Sequence, residues 1–121
     1  MQPTTAIPVL QVADIPTALS FYCNILGFTE SFRYDNYAGV CLGEVTLYLC
    51  AHQIWNRPIG AAAVVILTDE VDAYCATIRQ RGATILSEPA DQFYGLRDFV
   101  TRDPDGNILT FSTPLSTSEH P

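Results

Sequence analysis

The chain has 121 residues, which is the size of a single domain. Its hydrophobic fraction is 48% and its charged fraction only 16%, so it can bury a core and is not expected to be disordered. Thirteen acidic residues against six basic ones give a net charge of −7, which disfavours nucleic-acid binding because a phosphate backbone must be met by a basic surface. Such a charge attracts cations, and it also keeps a small protein soluble.

The first half of the chain reads as a strand, a helix and three further strands. Asp14 has the place of a helix N-cap, and Pro16 follows in the first turn, where its missing N–H costs nothing. Apolar residues then recur every three or four positions up to Gly27, which is predicted to end the helix in the left-handed conformation. The predicted strands lie at 7–12, 28–34, 38–42 and 45–50.

The second half repeats this order. Asp69 is predicted to cap a second helix and Gly82 to close it, with a loop at 88–95 and a strong turn signal at 103–106. The longest apolar run, at 61–67, is far shorter than the roughly 20 residues that span a membrane. The predicted strands lie at 62–68, 83–86, 97–102 and 107–112.

The two halves form an internal repeat, in which Asp14 corresponds to Asp69 and Gly27 to Gly82. One half alone cannot cover both faces of its sheet, so the halves must pack together or against another chain. We therefore predict a single domain over 1–121. It divides into a first module at about 6–50, a linker at 51–60, a second module at about 61–113 and a frayed tail at 114–121.

The four cysteines are Cys23, Cys41, Cys50 and Cys75, and they fit no C-x-x-C metal or redox motif. They lie among apolar helix and strand positions, which favours reduced, buried thiols over disulfides. The N-terminus also has no recognisable secretory signal. These features predict a cytoplasmic protein.

Three segments resemble the vicinal-oxygen-chelate superfamily, which includes glyoxalase I, extradiol dioxygenases and bleomycin-resistance proteins. They are PVLQVADIPTALSFYCNILGF, VTLYLC and TRDPDGNILTF, and the resemblance covers nearly the whole chain, from 7 to 113. Three more specific segments, DNYAGV, VTLYLCA and QFYGLRDF, resemble the bleomycin-binding proteins in particular. The resemblance implies an α+β fold of two βαβββ modules that form half-barrels, assembled as a homodimer with grooves at the subunit interface.

In the metal-dependent members of this superfamily, each module supplies one ligand from its first strand and one from its last. The register of the repeat places these four positions at Ile7 (or Pro8), Tyr48, Ala63 and Thr110. Isoleucine and alanine have no lone pair to offer, and tyrosine and threonine are rare ligands for zinc, manganese or iron. We therefore expect no metal and no other cofactor, which disfavours the glyoxalase and dioxygenase reactions.

The remaining features suit the binding of an organic cation. Aromatic faces attract cations and stack on flat heterocycles, and carboxylates form charge-assisted hydrogen bonds with amines. Tyr37 and Tyr94 match aromatic residues of the drug groove in the bleomycin binders, and Cys50 stands where those proteins have a small polar residue. We predict the following ligand-binding residues: Phe32, Asp35, Tyr37, Tyr48, Cys50, Trp55, Phe93, Tyr94, Gly95 and Asp98.

Some of these residues have a purely structural alternative. Phe32 and Tyr48 also fit core or interface positions on strands, and Asp35 also fits a simple turn. Trp55 is equally compatible with a contact at a dimer interface.

The leading hypothesis is a metal-free, non-catalytic protein that sequesters a cationic antibiotic of the bleomycin type without modifying it. Its partners would be this small molecule and a second copy of the chain, with neither nucleic acid nor membrane involved. One alternative is a metal-dependent lyase or dioxygenase of the same superfamily, with ligands displaced to Gln11, Glu44 or Gln92. Another is a metal-free enzyme that uses Tyr48 or an aspartate for acid–base catalysis. A binder of some other ligand also stays open, because one fold hosts many functions.

Overall fold

The computed structural model describes residues 1–53 and 55–115. Ile54 of the predicted linker and residues 116–121 of the predicted tail lie outside this description. Two four-stranded mixed sheets each carry helical structure on one face, which confirms the predicted α+β fold of two βαβββ modules.

The first module forms a sheet in the order β1-β4-β3-β2, in which β1 runs parallel to β4 and the other pairs are antiparallel. Its helix begins where predicted, because the Asp14 carboxylate accepts the backbone N–H of Thr17 at 2.9 Å. The elements are β1 (Val9–Gln11), α1 (Ile15–Leu19), a π-helical continuation (Ser20–Ile25), β2 (Thr29–Arg33), β3 (Tyr37–Leu42) and β4 (Val45–Cys50).

The second module repeats this arrangement in the order β5-β8-β7-β6, with β5 parallel to β8. The identical strand order in both modules agrees with the repeat inferred from the sequence. The elements are β5 (Ala63–Leu67), α2 (Val71–Gln80), β6 (Ile85–Asp91), β7 (Leu96–Arg102) and β8 (Ile108–Pro114).

Three local features differ from the sequence prediction. The first helix widens after Leu19, so that the N–H of Leu26 donates to the carbonyl of Phe21, five residues earlier, at 3.1 Å. The N-cap of α2 is Glu70 rather than Asp69, and its φ of 47° is left-handed. Strand β6 extends to Asp91, although Pro89 and the acidic residues around it have the composition of a loop.

The core lies between the helices and the inner face of each sheet. Side chains on β4 alternate, so that Leu47 and Leu49 are fully buried while Tyr48 between them lies on the opposite face. On β5, Val65 and Leu67 lie on the corresponding outer face and are each 62% exposed. No described helix covers these outer faces, and neither helix is long and apolar enough to cross a membrane within the residues described.

Among the described residues, two fully buried side-chain hydrogen bonds join the modules, and the half-buried Tyr74 hydroxyl adds a third by donating to the carbonyl of Leu26 at 2.6 Å. The hydroxyl of Tyr22 donates to Asp103 Oδ2 at 2.9 Å, and Asn107 Nδ2 donates to the carbonyl of Gln11 at 3.1 Å. The other carboxylate oxygen of Asp103 accepts three backbone N–H groups of its own turn. The two fully buried hydrogen bonds form a polar joint within a hydrophobic core that both modules share.

Candidate ligand-binding site

Three predicted aromatic residues form an aromatic cluster on the outer face of the first sheet. Phe32, Tyr37 and Tyr48 come from three adjacent strands, and each is half-buried. The ring centroids of Phe32 and Tyr48 are 5.3 Å apart, and those of Tyr37 and Tyr48 are 5.6 Å apart. Tyr34, which the sequence analysis did not single out, adds a fourth ring 5.7 Å from Phe32. Edge-to-face contacts of this kind stabilise a pair by about 0.5–1.5 kcal/mol beyond simple burial.

Strand register brings these rings together around a glycine. Gly39 lies opposite Phe32 on one side and opposite Tyr48 on the other. A Cβ atom at Gly39 would overlap the Phe32 ring, so the ring lies directly on the backbone. The glycine therefore makes room for the cluster.

An open recess of about 720 Å³ adjoins the cluster. Asp35, in the turn between β2 and β3, and Cys50, at the end of β4, both line it. Cys50 is buried and its Sγ donates to the carbonyl of His52 at 3.3 Å. Burial raises the pKa of Tyr37, so its hydroxyl stays protonated at neutral pH. The full lining is Arg33, Tyr34, Asp35, Asn36, Tyr37, Cys50 and His52.

Gln11 is a buried polar residue beside this recess. It pairs in register with Cys50, and its Nε2 donates to the carbonyl of His52 at 2.7 Å. Its Oε1 is buried and has no hydrogen-bond partner among the described residues. Buried polar atoms are nearly always paired, so this oxygen is an available acceptor. In the sequence, Gln11 is a lone polar residue inside an apolar strand, and this pattern could have indicated a buried polar site. Gln11 was predicted only as a displaced metal ligand of the alternative enzyme.

The second group of predicted residues lies in the Gln92–Gly95 turn between β6 and β7. Phe93 is almost completely exposed, and its ring centroid is 5.1 Å from that of Tyr94. Gly95 has a φ of +86°, which lets the chain reverse here. This group belongs to the second sheet, whereas the aromatic cluster belongs to the first.

Asp98, at the base of this turn, is only 4% exposed. Its Oδ2 accepts the hydroxyl of Tyr94 at 2.6 Å, and its Oδ1 accepts the Gln92 amide at 3.1 Å. The hydrogen bond to this carboxylate raises the pKa of Tyr94. The guanidinium of the neighbouring Arg97 binds Asp72 and Asp91 rather than Asp98.

Trp55 lies in a turn of the linker between the modules. It is 89% exposed and has a φ of 61°, and no ring contact among the described residues includes it. Glu44 lies in the turn between β3 and β4.

The four positions inferred for metal ligands do not have the donors that a metal needs. Ile7 and Ala63 provide only hydrocarbon, and Tyr48 packs within the aromatic cluster. Thr110 lies opposite Val65 and Val100. The residues present therefore do not fit a catalytic metal at these positions.

Comparison with known proteins identifies the family. A family model described as the glyoxalase/bleomycin resistance protein/dioxygenase superfamily matches residues 4–111. The bleomycin resistance protein of Geobacillus stearothermophilus is 29% identical over 123 residues, covering 88% of this chain and 93% of that protein. Among solved structures, the bleomycin-binding protein of Streptomyces verticillus in complex with copper(II)-bleomycin has a TM-score of 0.76 and 27% identity to this chain. The match covers 92% of this chain and 96% of that one. An integron cassette protein of V. cholerae has a TM-score of 0.75 and 28% identity, covering 93% of this chain and 97% of the other. The chain therefore belongs to the glyoxalase/bleomycin resistance protein/dioxygenase superfamily.

Proposed function

We propose that this protein binds a cationic, partly flat antibiotic of the bleomycin type and sequesters it without making or breaking a bond. The observation that carries the proposal is the aromatic cluster beside an open recess on the outer face of the first sheet. Similar proteins support it, since one is a bleomycin resistance protein and another was solved with copper(II)-bleomycin.

The chemistry of the recess suits such a ligand. Ring faces attract cations and stack on flat heterocycles. The exposed Asp35 carboxylate, which lines the recess, can pair with a ligand amine. The net charge of −7 raises the local concentration of cations around the protein.

Protection by binding follows from mass action alone. When the protein is present in excess over the drug, the free fraction of drug falls as the ratio of Kd to protein concentration falls. No step requires a catalytic metal, which agrees with the donors at the four superfamily positions. We place this activity in the cytoplasm, because the four cysteines are free thiols, which persist in reducing compartments.

We also propose that the protein acts as a homodimer with grooves at the subunit interface. The outer face of β5 exposes two large apolar side chains, Val65 and Leu67, which a partner would cover. If the second sheet of one subunit faces the first sheet of the other, the turn bearing Phe93 and Tyr94 comes to the recess of the partner. Trp55 would lie at the edge of this assembly.

Titration calorimetry with metal-free and copper(II)-loaded bleomycin tests the proposal. We expect saturation near one ligand per subunit. Mass spectrometry of the recovered drug should show an unchanged mass, and a changed mass would favour the enzyme alternatives. No heat at micromolar drug would contradict the proposal.

Tyr48 offers a matched pair of variants for the same titration. Tyr48→Phe keeps the ring and should bind nearly as well as the wild type, whereas Tyr48→Leu removes it and should bind about 2- to 30-fold more weakly. Equal affinity in Tyr48→Leu and the wild type would show that the cluster does not contact the drug. Thermal unfolding of both variants checks that the fold is kept.

A further inference from the structure

The buried carboxylate beneath the Gln92–Gly95 turn has no positively charged partner. Asp98 is held by the Tyr94 hydroxyl and the Gln92 amide, both of which are neutral. None of the ion pairs among the described residues includes it. A buried carboxylate is normally compensated by a cation, because desolvation of an isolated charge is costly.

A buried hydroxyl without a hydrogen-bond partner among the described residues lies directly across the sheet from this carboxylate. Ser112 pairs in register with Asp98, so both side chains are on the same face, with Cβ atoms about 4.5–5.5 Å apart. Ser112 is 1% exposed, and its Oγ has no hydrogen-bond partner within the described part of the chain. A buried hydroxyl without a partner is unfavourable, so the site provides an acceptor that the free protein does not use.

The cover over this pair of groups can open without disturbing the core. The Tyr94 side chain is half exposed, and its hydroxyl is anchored by a single hydrogen bond to Asp98. The turn that carries it is at the surface, and Phe93 at its tip is solvent-exposed. Movement of Tyr94 would therefore break one hydrogen bond and uncover one buried carboxylate.

We propose that Asp98 and Ser112 form a subsite for an ammonium group, and that Tyr94 is the gate that this group displaces. The ammonium N–H groups donate to Asp98 Oδ2, which loses the tyrosine hydroxyl, and to Ser112 Oγ. The displaced phenol remains protonated and donates to water. The inference rests on the proposed function for the larger ligand that carries the amine, but small amines test the subsite by themselves.

Spermidine is the first probe, and 1,4-butanediol is its neutral control. Amide chemical shifts of the ¹⁵N-labelled protein are followed during each titration. Spermidine should shift the signals of residues 92–98 and 112, and butanediol should not. Spermidine shifts confined to other regions would overturn the proposal.

Three variants separate a cation subsite from a merely structural carboxylate. Asp98→Asn should weaken spermidine binding at least about tenfold, because the charge is lost while the shape is kept. Ser112→Ala should weaken it by a smaller factor. Tyr94→Phe should strengthen it about three- to tenfold, because the competing hydroxyl hydrogen bond is gone. If the Asp98 carboxylate only holds the turn in place, Tyr94→Phe should not raise the affinity for spermidine. Unchanged or weaker spermidine binding in Tyr94→Phe would therefore refute the proposal that Tyr94 is a gate.

Glu88→Gln serves as the control for charge. It removes one carboxylate from the same sheet, but Glu88 is exposed and already pairs with Arg79, so spermidine affinity should not change. If Asp98→Asn fails to fold, the opposite effects expected for Tyr94→Phe and Ser112→Ala still decide the question.

Bleomycin titrations of the same variants keep the two proposals distinct. Spermidine binding with the expected variant effects, but without bleomycin binding, would support the ammonium subsite and contradict the proposal that the protein binds bleomycin. Bleomycin binding with no spermidine shifts at residues 92–98 and 112 would retain the drug-binding proposal and reject the subsite.

Discussion

The contact between Gly39 and the Phe32 ring gives a quantitative test of the aromatic cluster. Gly39→Ala would place a Cβ within the Phe32 ring, although the strand backbone at Gly39 suits any residue. Overpacking of a well-packed site costs about 1–3 kcal/mol, while alanine is favoured over glycine in a strand by about 0.5–1 kcal/mol. We therefore expect urea denaturation to show a net loss of about 1 kcal/mol in the free energy of unfolding, within a range of about 0–2.5 kcal/mol.

A double-mutant cycle tests the cause of this loss. In a Phe32→Leu background the ring is absent and only the rotatable Ser31 Oγ stays close to the new Cβ, at 2.8 Å, so Gly39→Ala should cost much less. The same destabilisation in both backgrounds would refute the idea that the ring is what the alanine disturbs. Under the proposed function, Gly39→Ala should also weaken bleomycin binding, because the Phe32 ring is displaced from the cluster.

Two further predictions concern the joint between the modules and the first helix. Tyr22→Phe removes the buried hydrogen bond to Asp103 and should lower the free energy of unfolding by about 1.5–3 kcal/mol in urea denaturation, as for a bond to a charged group. An unchanged midpoint would mean that this hydrogen bond adds no stability. The Asp14 carboxylate accepts the Thr17 N–H, and this hydrogen bond lowers its pKa in the folded protein. Ionised Asp14 therefore stabilises the fold above its unfolded pKa of about 4, and this contribution is lost as the pH falls through the lower folded pKa. Asp14→Asn keeps a capping side chain that does not titrate, so it should abolish this part of the acid dependence of stability. The measurement is the unfolding midpoint between pH 2 and 6. The same pH profile in the variant and the wild type would contradict a role for the Asp14 charge.

The repeating pattern of strands and helices was the most predictable part of the fold. Strand β4 occupies 45–50, as its composition predicts, and Gly27 adopts the expected left-handed conformation, with a φ of +87°. Local sequence decides these features, since apolar periodicity and glycine act within a few residues. The length of strand β6 was not predicted correctly, because Pro89 and the neighbouring acidic residues favour a loop. Only their pairing with β7 makes these residues a strand.

The candidate site was only partly predictable, for a different reason. Aromatic residue types marked Phe32, Tyr37 and Tyr48 as candidates, and strand register brings them together. Ser112 carried no such mark, because its importance comes from its burial and from Asp98, which lies opposite it in the sheet. A single sequence does not contain that pairing.

The joint between the modules has a consequence for the order of folding. Its two hydrogen bonds connect residues that are 81 and 96 positions apart in the chain. Contacts of such long sequence separation are expected to form slowly, because a large loop must close first. Each βαβββ unit is built mainly from neighbouring strands, so we expect the two units to assemble early and to dock late through Tyr22 and Asn107. The unfolding rate of the chain would then depend strongly on this small polar joint, and much less on the surfaces that face ligand or partner.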